Sequence, residues 1–546
     1  MRLFKKILLS ILFTVGFFAA VETILFFIGV GESWSPFEQE RDADSWVAKL
    51  TPTGAFHFHS DRFPVDKPAN TFRVFTFGGS STYGYPFARS HSRSSFPGMM
   101  RVLLETRHPE QRIEVINCGS PGMDSRTSLE VLQAALDYSP DALVVYSGHN
   151  EFLPQNVSNV KRELEKPFLD SVLGFAKSLR LFGLMRSMLA SSLPKADGGV
   201  QFNDLVQYDK MIAQPLCTAE ETAAIHEKYG ENLTAMCEAA RDADVPIFLC
   251  LPVSNLKDFE PNVSYRSRNI DATQLKRFDD AFAEGRTQAE AKNWTAAIES
   301  FQKANRADPN VAESHYQLAN AFEQSSDHLR ARPEYLRARD LDGRPLRATA
   351  AILDVVTSVA REQDGATLID SFEAMEQAAE NGIVGNPLII DNVHPTLEGD
   401  YVLARAVVDA LSKAGLPGPS SGENDPSFEE CLRKTGSKPA LVTEGLAEAG
   451  LYLLRFVPMR WDRDQRAART EEVFQQVLEQ QPDNIKALHG LGTLYLMIGR
   501  SEDGQQIIRS TLEKQPDSAK LIHHFAKLSP YLTKLYREAK IPLEEE

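Results

Sequence analysis

The sequence predicts an α/β fold, a parallel sheet covered by helices on both faces, interrupted and then followed by all-α repeats and preceded by one long apolar helix. Three observations carry this expectation. From Thr71 onward, short apolar β-branched runs alternate with amphipathic helical stretches. From about Thr273 to Gly343, and again from about Ala440, that alternation gives way to helical pattern with a 34-residue period. Residues Ile7 to Val30 form an almost unbroken apolar run.

At 546 residues the chain is too long for one compact core. Hydrophobic residues are 42% and charged residues 25%, the values of an ordinary globular protein. The net charge of -16 is spread over the chain, and Lys and Arg alternate with Asp and Glu instead of clustering on a basic face. Nucleic acid is therefore excluded as a partner. The five cysteines, Cys118, Cys217, Cys237, Cys250 and Cys431, show no CxxC pair and no zinc-ligand spacing, so no structural metal is expected. Buried free thiols are the expectation, with a Cys217–Cys237 bridge as the alternative in an oxidising compartment.

The run Ile7–Val30 is long enough, at about 1.5 Å per residue, to cross the ~30 Å hydrocarbon layer. Arg2, Lys5 and Lys6 precede it and Glu32 follows. Residues 1–30 are thus expected to be a cytoplasmic tip and transmembrane anchor, with the bulk of the chain periplasmic or extracytoplasmic. A cleaved signal peptide is the competing reading, against which stand the length of the run and the lack of a small-x-small site. Glu22 lies inside the run, either as a neutral acid or paired with another helix; the neutral acid is the expectation. Residues 31–70, broken by Pro36, Pro52, Gly54, Pro64 and Pro68, read as a connector.

The α/β part comes in two pieces, 71–272 and 344–413. The first gives the strand FRVFTFGG, a helix around Phe96–Thr106, the strand IEVINCG, a helix around Ser125–Tyr138, the strand ALVVYSGH, a helix over Asn232–Asp242 and the strand VPIFLCLPV. The second gives a helix over Arg347–Arg361, the strand ATLID and a last amphipathic helix. Between them, in 273–343, Ala297, Phe301, Ala304 and Pro309 recur as Ala331, Tyr335, Ala338 and Gly343, with Gly285 and Ala319 at the small position of the preceding helix. A Pro/Gly/Ser-rich linker, 414–439, leads to a second tract, 440–546, where Phe474 and Pro482 match Ile508 and Pro516. There Leu488, Leu491, Gly492 and Tyr495 fit the first helix of a repeat. Both tracts resemble tetratricopeptide (TPR) repeats, which implies a concave surface for a protein partner. The alternative is that the repeats only extend the core or cap one another.

The first strand of the sheet ends in FGGSSTYG, Phe77–Gly84, which places Ser80 where parallel α/β sheets open a ligand crevice. Alone this is a serine in a glycine-rich loop; it lacks the lysine of a phosphate-binding loop and the spacing of a dinucleotide fingerprint. Three further strand-end motifs converge on it. NCGSPGMDS offers the Gly122 backbone N–H and SGHNEF the Asn150 side-chain amide, which with the Ser80 amide form an expected oxyanion hole. DNVHP places Asp391 three residues before His394, a spacing at which the carboxylate orients an imidazole that activates a hydroxyl. His149 is read as a support of the site or as structural, and His91 and Arg126 as within reach of a substrate but not counted among the site residues.

These four motifs, in this order, resemble the blocks of the SGNH (GDSL-like) hydrolase superfamily: FGGSSTYG is similar to FGDSLTxG, NCGSPG to the glycine block, SGHNE to GxND and DNVHP to DxxHP. The resemblance implies a flavodoxin-like three-layer sandwich with Ser80 as nucleophile, His394 as general base, Asp391 as its orienter, Ser80, Gly122 and Asn150 as oxyanion donors, and no cofactor. It implies an extracytoplasmic serine esterase, or an O-acyltransferase or deacetylase on envelope glycans, with an acyl ester of a glycan or lipid as substrate. The alternative is a membrane-tethered TPR scaffold with a non-catalytic domain. Two positions depart from the family pattern: Gly79 and Glu151 stand where aspartates are usual.

Overall fold

The computed structural model describes residues 2–27, 35–42, 45–51, 56–88, 93–165, 179–181, 184–185, 216–420, 422, 424–457 and 463–543, with no account of the side chains of 2–12, 15, 463 and 528. Five strands form a parallel sheet: β4 (Thr71–Gly78), β5 (Arg112–Asn117), β6 (Ala142–Tyr146), β7 (Ile247–Cys250) and β8 (Ala366–Ile369). Their spatial order, β5-β4-β6-β7-β8, is the flavodoxin-like order 2-1-3-4-5. Every neighbouring pair is parallel. β6 and β7 are buried along their whole length, as expected of strands covered on both faces.

Side-chain caps start the flanking helices. Ser95 opens Phe96–Arg107, Asp124 opens Ser125–Ala135 and Thr396 opens Leu397–Lys413, each accepting a hydrogen bond from the backbone N–H three residues on. A full capping box, Thr218 with Glu221, starts the helix Ala219–Asp242 well before the expected Asn232. That earlier stretch is mixed in polarity, so its periodicity alone did not show it.

The expected connector 31–70 contains three antiparallel strands, β1 (Phe37–Asp42), β2 (Ser45–Leu50) and β3 (Arg62–Pro64). Phe37 and Phe63 pack edge-on against Phe75 of β4. Arg73, fully buried on β4, joins the two sheets: its guanidinium donates to Glu114, to the Tyr138 carbonyl and to the Pro64 carbonyl. Prolines and glycines at the strand ends hid these short strands in the sequence.

Four helices, Ala272–Glu290, Trp294–Ala307, Ala312–Gln324 and His328–Asp340, lie between β7 and β8 in the chain. The small positions of the repeat have a direct cause. A Cβ on Gly285 would stand 2.6 Å from the Phe301 ring, and in the C-terminal tract one on Gly492 would stand 2.6 Å from Ile508. Only the small residue lets the paired helix approach that closely. The C-terminal tract has helices Pro439–Leu454, Arg463–Gln480, Ile485–Met497, Ser501–Lys514, Ala519–Leu528 and Pro530–Glu538. The expected linker 414–439 contains a helix, Phe428–Thr435, capped by Ser427 and ended by Gly436, with Cys431 buried against the carbonyl of Met99. Four of the five cysteines are buried and all five are free thiols, so Cys217 and Cys237 are not bridged.

The first helix runs Arg2–Phe27. Among the described residues no helix is long and apolar enough to cross a membrane, and part of the expected span, residues 28–30 and the side chains of 7–12, lies outside them. On the described part Phe13, Phe17, Phe18, Ile24, Phe26 and Phe27 are exposed. Glu22 has hydrogen-bond partners from a distant segment. Its side-chain oxygens accept hydrogen bonds from the backbone N–H groups of Arg180 and Leu181, both at 2.8 Å.

Candidate active site

β4 delivers Ser80 to the carboxyl edge of the sheet. Gly78, at φ 153°, ends the strand so close to β6 that a Cβ there would lie 2.0 Å from the Tyr146 carbonyl oxygen. Ser80 then opens a four-residue helix, Ser80–Tyr83, closed by Gly84. Its neighbours pin this turn: Ser81 Oγ donates to the Val393 carbonyl, Thr82 Oγ1 to the Tyr146 carbonyl, and Asn117 Nδ2 to the Thr82 carbonyl. The first of these bonds joins residues more than 300 positions apart and ties the Ser80 turn to the Asp391–His394 loop.

That loop is shaped by its own backbone. Ile389 bridges Pro395, and Ile390 N–H donates to the His394 carbonyl. Asp391 Oδ1 accepts the backbone N–H groups of Val393 and His394, both at 2.9 Å, which fixes the carboxylate inside an Asx turn. Asp391 Oδ2 lies 2.6 Å from His394 Nδ1, and His394 Nε2 lies 2.7 Å from Ser80 Oγ. With a carboxylate at Nδ1, the proton sits there and Nε2 is left to accept from the serine hydroxyl. Asp391 and His394 are buried and Ser80 is half-exposed, so the hydroxyl is the accessible member. The arrangement can take a proton from Ser80 and hold the resulting imidazolium.

Asn150 sits beside the serine turn. Its Nδ2 donates to the Met123 carbonyl at 2.9 Å and lies 2.3 Å from where a Cβ on Gly79 would be. The amide thus occupies the space that the aspartate of the FGDS pattern needs, and Gly79 is the residue that leaves room for it. Gly122 lies in the turn after β5 at φ 75°, with Met123 N–H closing that turn on the Ser120 carbonyl. No contact described for Gly122 reaches Ser80; its link to the site runs through the adjoining Met123 carbonyl, which accepts from Asn150. The structure thus joins Ser80, His394 and Asp391 by hydrogen bonds, sets Asn150 against Gly79, and leaves Gly122 one residue removed.

Glu151, the second departure, turns away from the serine. Its carboxylate accepts the backbone N–H and the hydroxyl of Ser125 at 3.0 and 2.9 Å, and Asn232 donates to that hydroxyl. Burial, and after it the charge of Asp124, pushes its carboxyl up to about 8. Glu151 thereby fastens the Asn150 loop to the start of the helix that follows the Gly122 turn. His149 accepts the Ala348 N–H on Nδ1, and burial lowers it to about 3, which keeps the imidazole neutral. Arg126 lies 3.7 Å from Glu163, and His91 is outside the described residues.

Two residues went unseen in the sequence. The ring of Tyr85 lies 4.8 Å from the His394 imidazole and that of Tyr452 5.1 Å from it, centroid to centroid. Tyr85 follows the serine motif closely enough to have been suspected. Tyr452 lies in a helix of the C-terminal tract, where the repeat pattern marks packing positions and carries no sign of the site. A cavity of about 330 Å³ opens elsewhere, lined by Phe152, Cys217, His226 and Thr349 among others, and includes none of the Ser80, Asp391 and His394 side chains. The site is therefore assigned by its chemistry and not by cavity size. Among the described residues no three His, Cys, Asp or Glu side chains are grouped to hold a metal ion.

The tetratricopeptide repeat family matches residues 463–525. Among solved structures, the chain is similar to LAE5, an alpha/beta hydrolase enzyme from the metagenome of Lake Arreo, Spain, at 14% identity over 64% of this chain and 97% of that one, with a TM-score of 0.28. A mutant of Axe2, an acetyl-xylooligosaccharide esterase from Geobacillus Stearmophilus, is 15% identical over 64% and 96%, with a TM-score of 0.27. YrrB, a TPR protein with an unusual peptide-binding site, is 12% identical over 46% and 95%, with a TM-score of 0.13. No curated protein matches the chain.

Proposed function

We propose that the protein is a serine esterase or acyltransferase of the SGNH type that works through an acyl-enzyme on Ser80. One observation carries the reading: the continuous relay from Asp391 Oδ2 through the His394 ring to Ser80 Oγ, with hydrogen bonds of 2.6 and 2.7 Å. Ser80 attacks an ester carbonyl while His394 Nε2 takes its proton, and Asp391 stabilises the imidazolium that forms. The oxyanion is held by the backbone N–H of Ser80, the Asn150 amide and the Gly122 backbone N–H. Asn150 Nδ2 carries two hydrogens, and Met123 takes one of them. His394 then returns the proton to the departing alcohol, and water or an acceptor hydroxyl releases the acyl group.

In this reading the N-terminal helix holds the chain to a membrane with the α/β domain on the extracytoplasmic side, supported by the exposed phenylalanines along Phe13–Phe27. The repeats, of a type that usually binds proteins, take up a protein partner. The chemistry is tested with a panel of acetyl esters of sugars and small alcohols. Ser80→Ala and His394→Ala lower kcat/KM on the order of 10⁴ to 10⁶-fold. Turnover by Ser80→Ala at the wild-type rate overturns the assignment.

A further inference from the structure

The C-terminal tract lies directly on the site. Its helix Pro439–Leu454 carries Tyr452, whose ring stands edge-on to the His394 imidazole at 5.1 Å and to Tyr85 at 5.7 Å. The Tyr85 hydroxyl donates to the carbonyl of Glu448 on the same helix. A Cβ on Gly445, one turn earlier, would be 2.6 Å from the Phe87 ring, so this helix is seated on the segment that follows the Ser80 turn as closely as its backbone allows.

Tyr85 and Tyr452 are both half-exposed, whereas His394 between them is buried. Each therefore keeps some accessible surface beside the imidazole. Their place determines which half of the ester they meet. His394 Nε2 faces Ser80 Oγ and must hand its proton to the departing alcohol oxygen, so that alcohol stands next to the imidazole and next to the rings that flank it. The surroundings of the rings are charged. The Arg455 guanidinium lies 5.2 Å over Tyr452, and Lys486 pairs with Glu448 at 2.5 Å. Flat apolar faces with a charged rim suit an alcohol that has an apolar ring face and hydroxyls at its edge.

Building on the esterase reading, we infer that Tyr452, supplied by the C-terminal repeat tract, forms with Tyr85 the subsite for the alcohol half of the ester and selects a cyclic polyol such as a sugar over a short alkyl alcohol. The tract is then part of the enzyme's specificity. Its sequence distance from Ser80 hides this, because the contact is made only by the folded chain.

The test compares two acetates with the same acyl group, ethyl acetate and a mono-acetylated methyl glucopyranoside, on wild type, Tyr452→Phe and Tyr452→Leu, all in the full-length chain. Wild type favours the glucoside. Tyr452→Leu lowers kcat/KM on the glucoside about tenfold more than on ethyl acetate, the size of one lost aromatic contact. Tyr452→Phe keeps the wild-type ratio, because it keeps the ring. Equal losses on both esters, no loss on either, or a wild type without preference overturns the subsite. A fluorophosphonate probe is run alongside: wild type that labels at Ser80 while the ester ratio fails to move refutes the subsite alone, whereas wild type that does not label refutes the esterase reading beneath it.

Discussion

The two helical tracts share a repeat but relate to the α/β domain in different ways. In the inserted tract Phe301, Tyr316, Ala319, Tyr335 and Ala338 belong to the same hydrophobic core as the sheet. In the C-terminal tract Phe474, Leu494, Ile508 and Tyr536 build a second core, which takes in Phe259 from the loop after β7 and has Leu346 packed against it, while Ala449 of the tract's first helix joins the sheet's core. Yet the tract with the second core is the one that touches the site, through Tyr452, and among the described residues the other does not. A 34-residue pattern thus reports how neighbouring helices pack within a pair. It says nothing of where the array docks.

The largest test of this contrast removes each tract in turn. Excising 273–343 through a short linker exposes the sheet's own core and abolishes cooperative thermal unfolding of the α/β domain. Ending the chain after Thr435 leaves that unfolding cooperative. If the excised protein unfolds like the intact one, the core is not shared.

Next in size is the polar joint of the C-terminal tract. Arg466, almost wholly buried, donates to the Glu260 carboxylate at 2.9 Å, to the Glu260 carbonyl and to Asn262. Arg466→Met strips the guanidinium from a buried carboxylate and costs about 3 to 5 kcal/mol in denaturant unfolding. A surface joint of the inserted tract, Arg332 with Glu376, is 41% exposed on the arginine side, so Arg332→Met costs under about 1 kcal/mol. Equal costs for the two would remove the contrast between the buried pair and the exposed one.

Acid separates them as well. His489, buried in the C-terminal helix Ile485–Met497, has neither ring nitrogen hydrogen-bonded among the described residues, and burial lowers it to about 4. The unfolded chain therefore binds a proton between about pH 6.5 and 4 that the folded tract refuses, and stability falls as pH drops through that window. His489→Leu flattens this acid limb in pH-dependent urea melts, while the alkaline side is unchanged. A limb as steep as in the wild type would assign the acid sensitivity to another group.

What could be read from the sequence follows from where the information is local. Ser80, Asn150, Asp391 and His394 each lie at the end of a β-strand or in a short loop with its own spacing, and the sheet order brings those ends to one edge. The strand and helix alternation of the α/β domain was legible for the same reason. The strands of 37–64 were not, since prolines and glycines mask runs as short as Arg62–Pro64, whose place is fixed by Arg73 and the Phe37–Phe63 contact. The pairing of Glu22 with residues 180–181 and the approach of Tyr452 to His394 are contacts between distant segments, and no periodicity encodes them.

The most direct measurement is covalent labelling of the full-length protein with a fluorophosphonate, with the modified peptide located by mass spectrometry beside a reactive control esterase. The relay of Asp391, His394 and Ser80 predicts a single adduct at Ser80, absent in Ser80→Ala and lost in His394→Ala. An unlabelled wild type, or labelling that survives His394→Ala at the same rate, contradicts it.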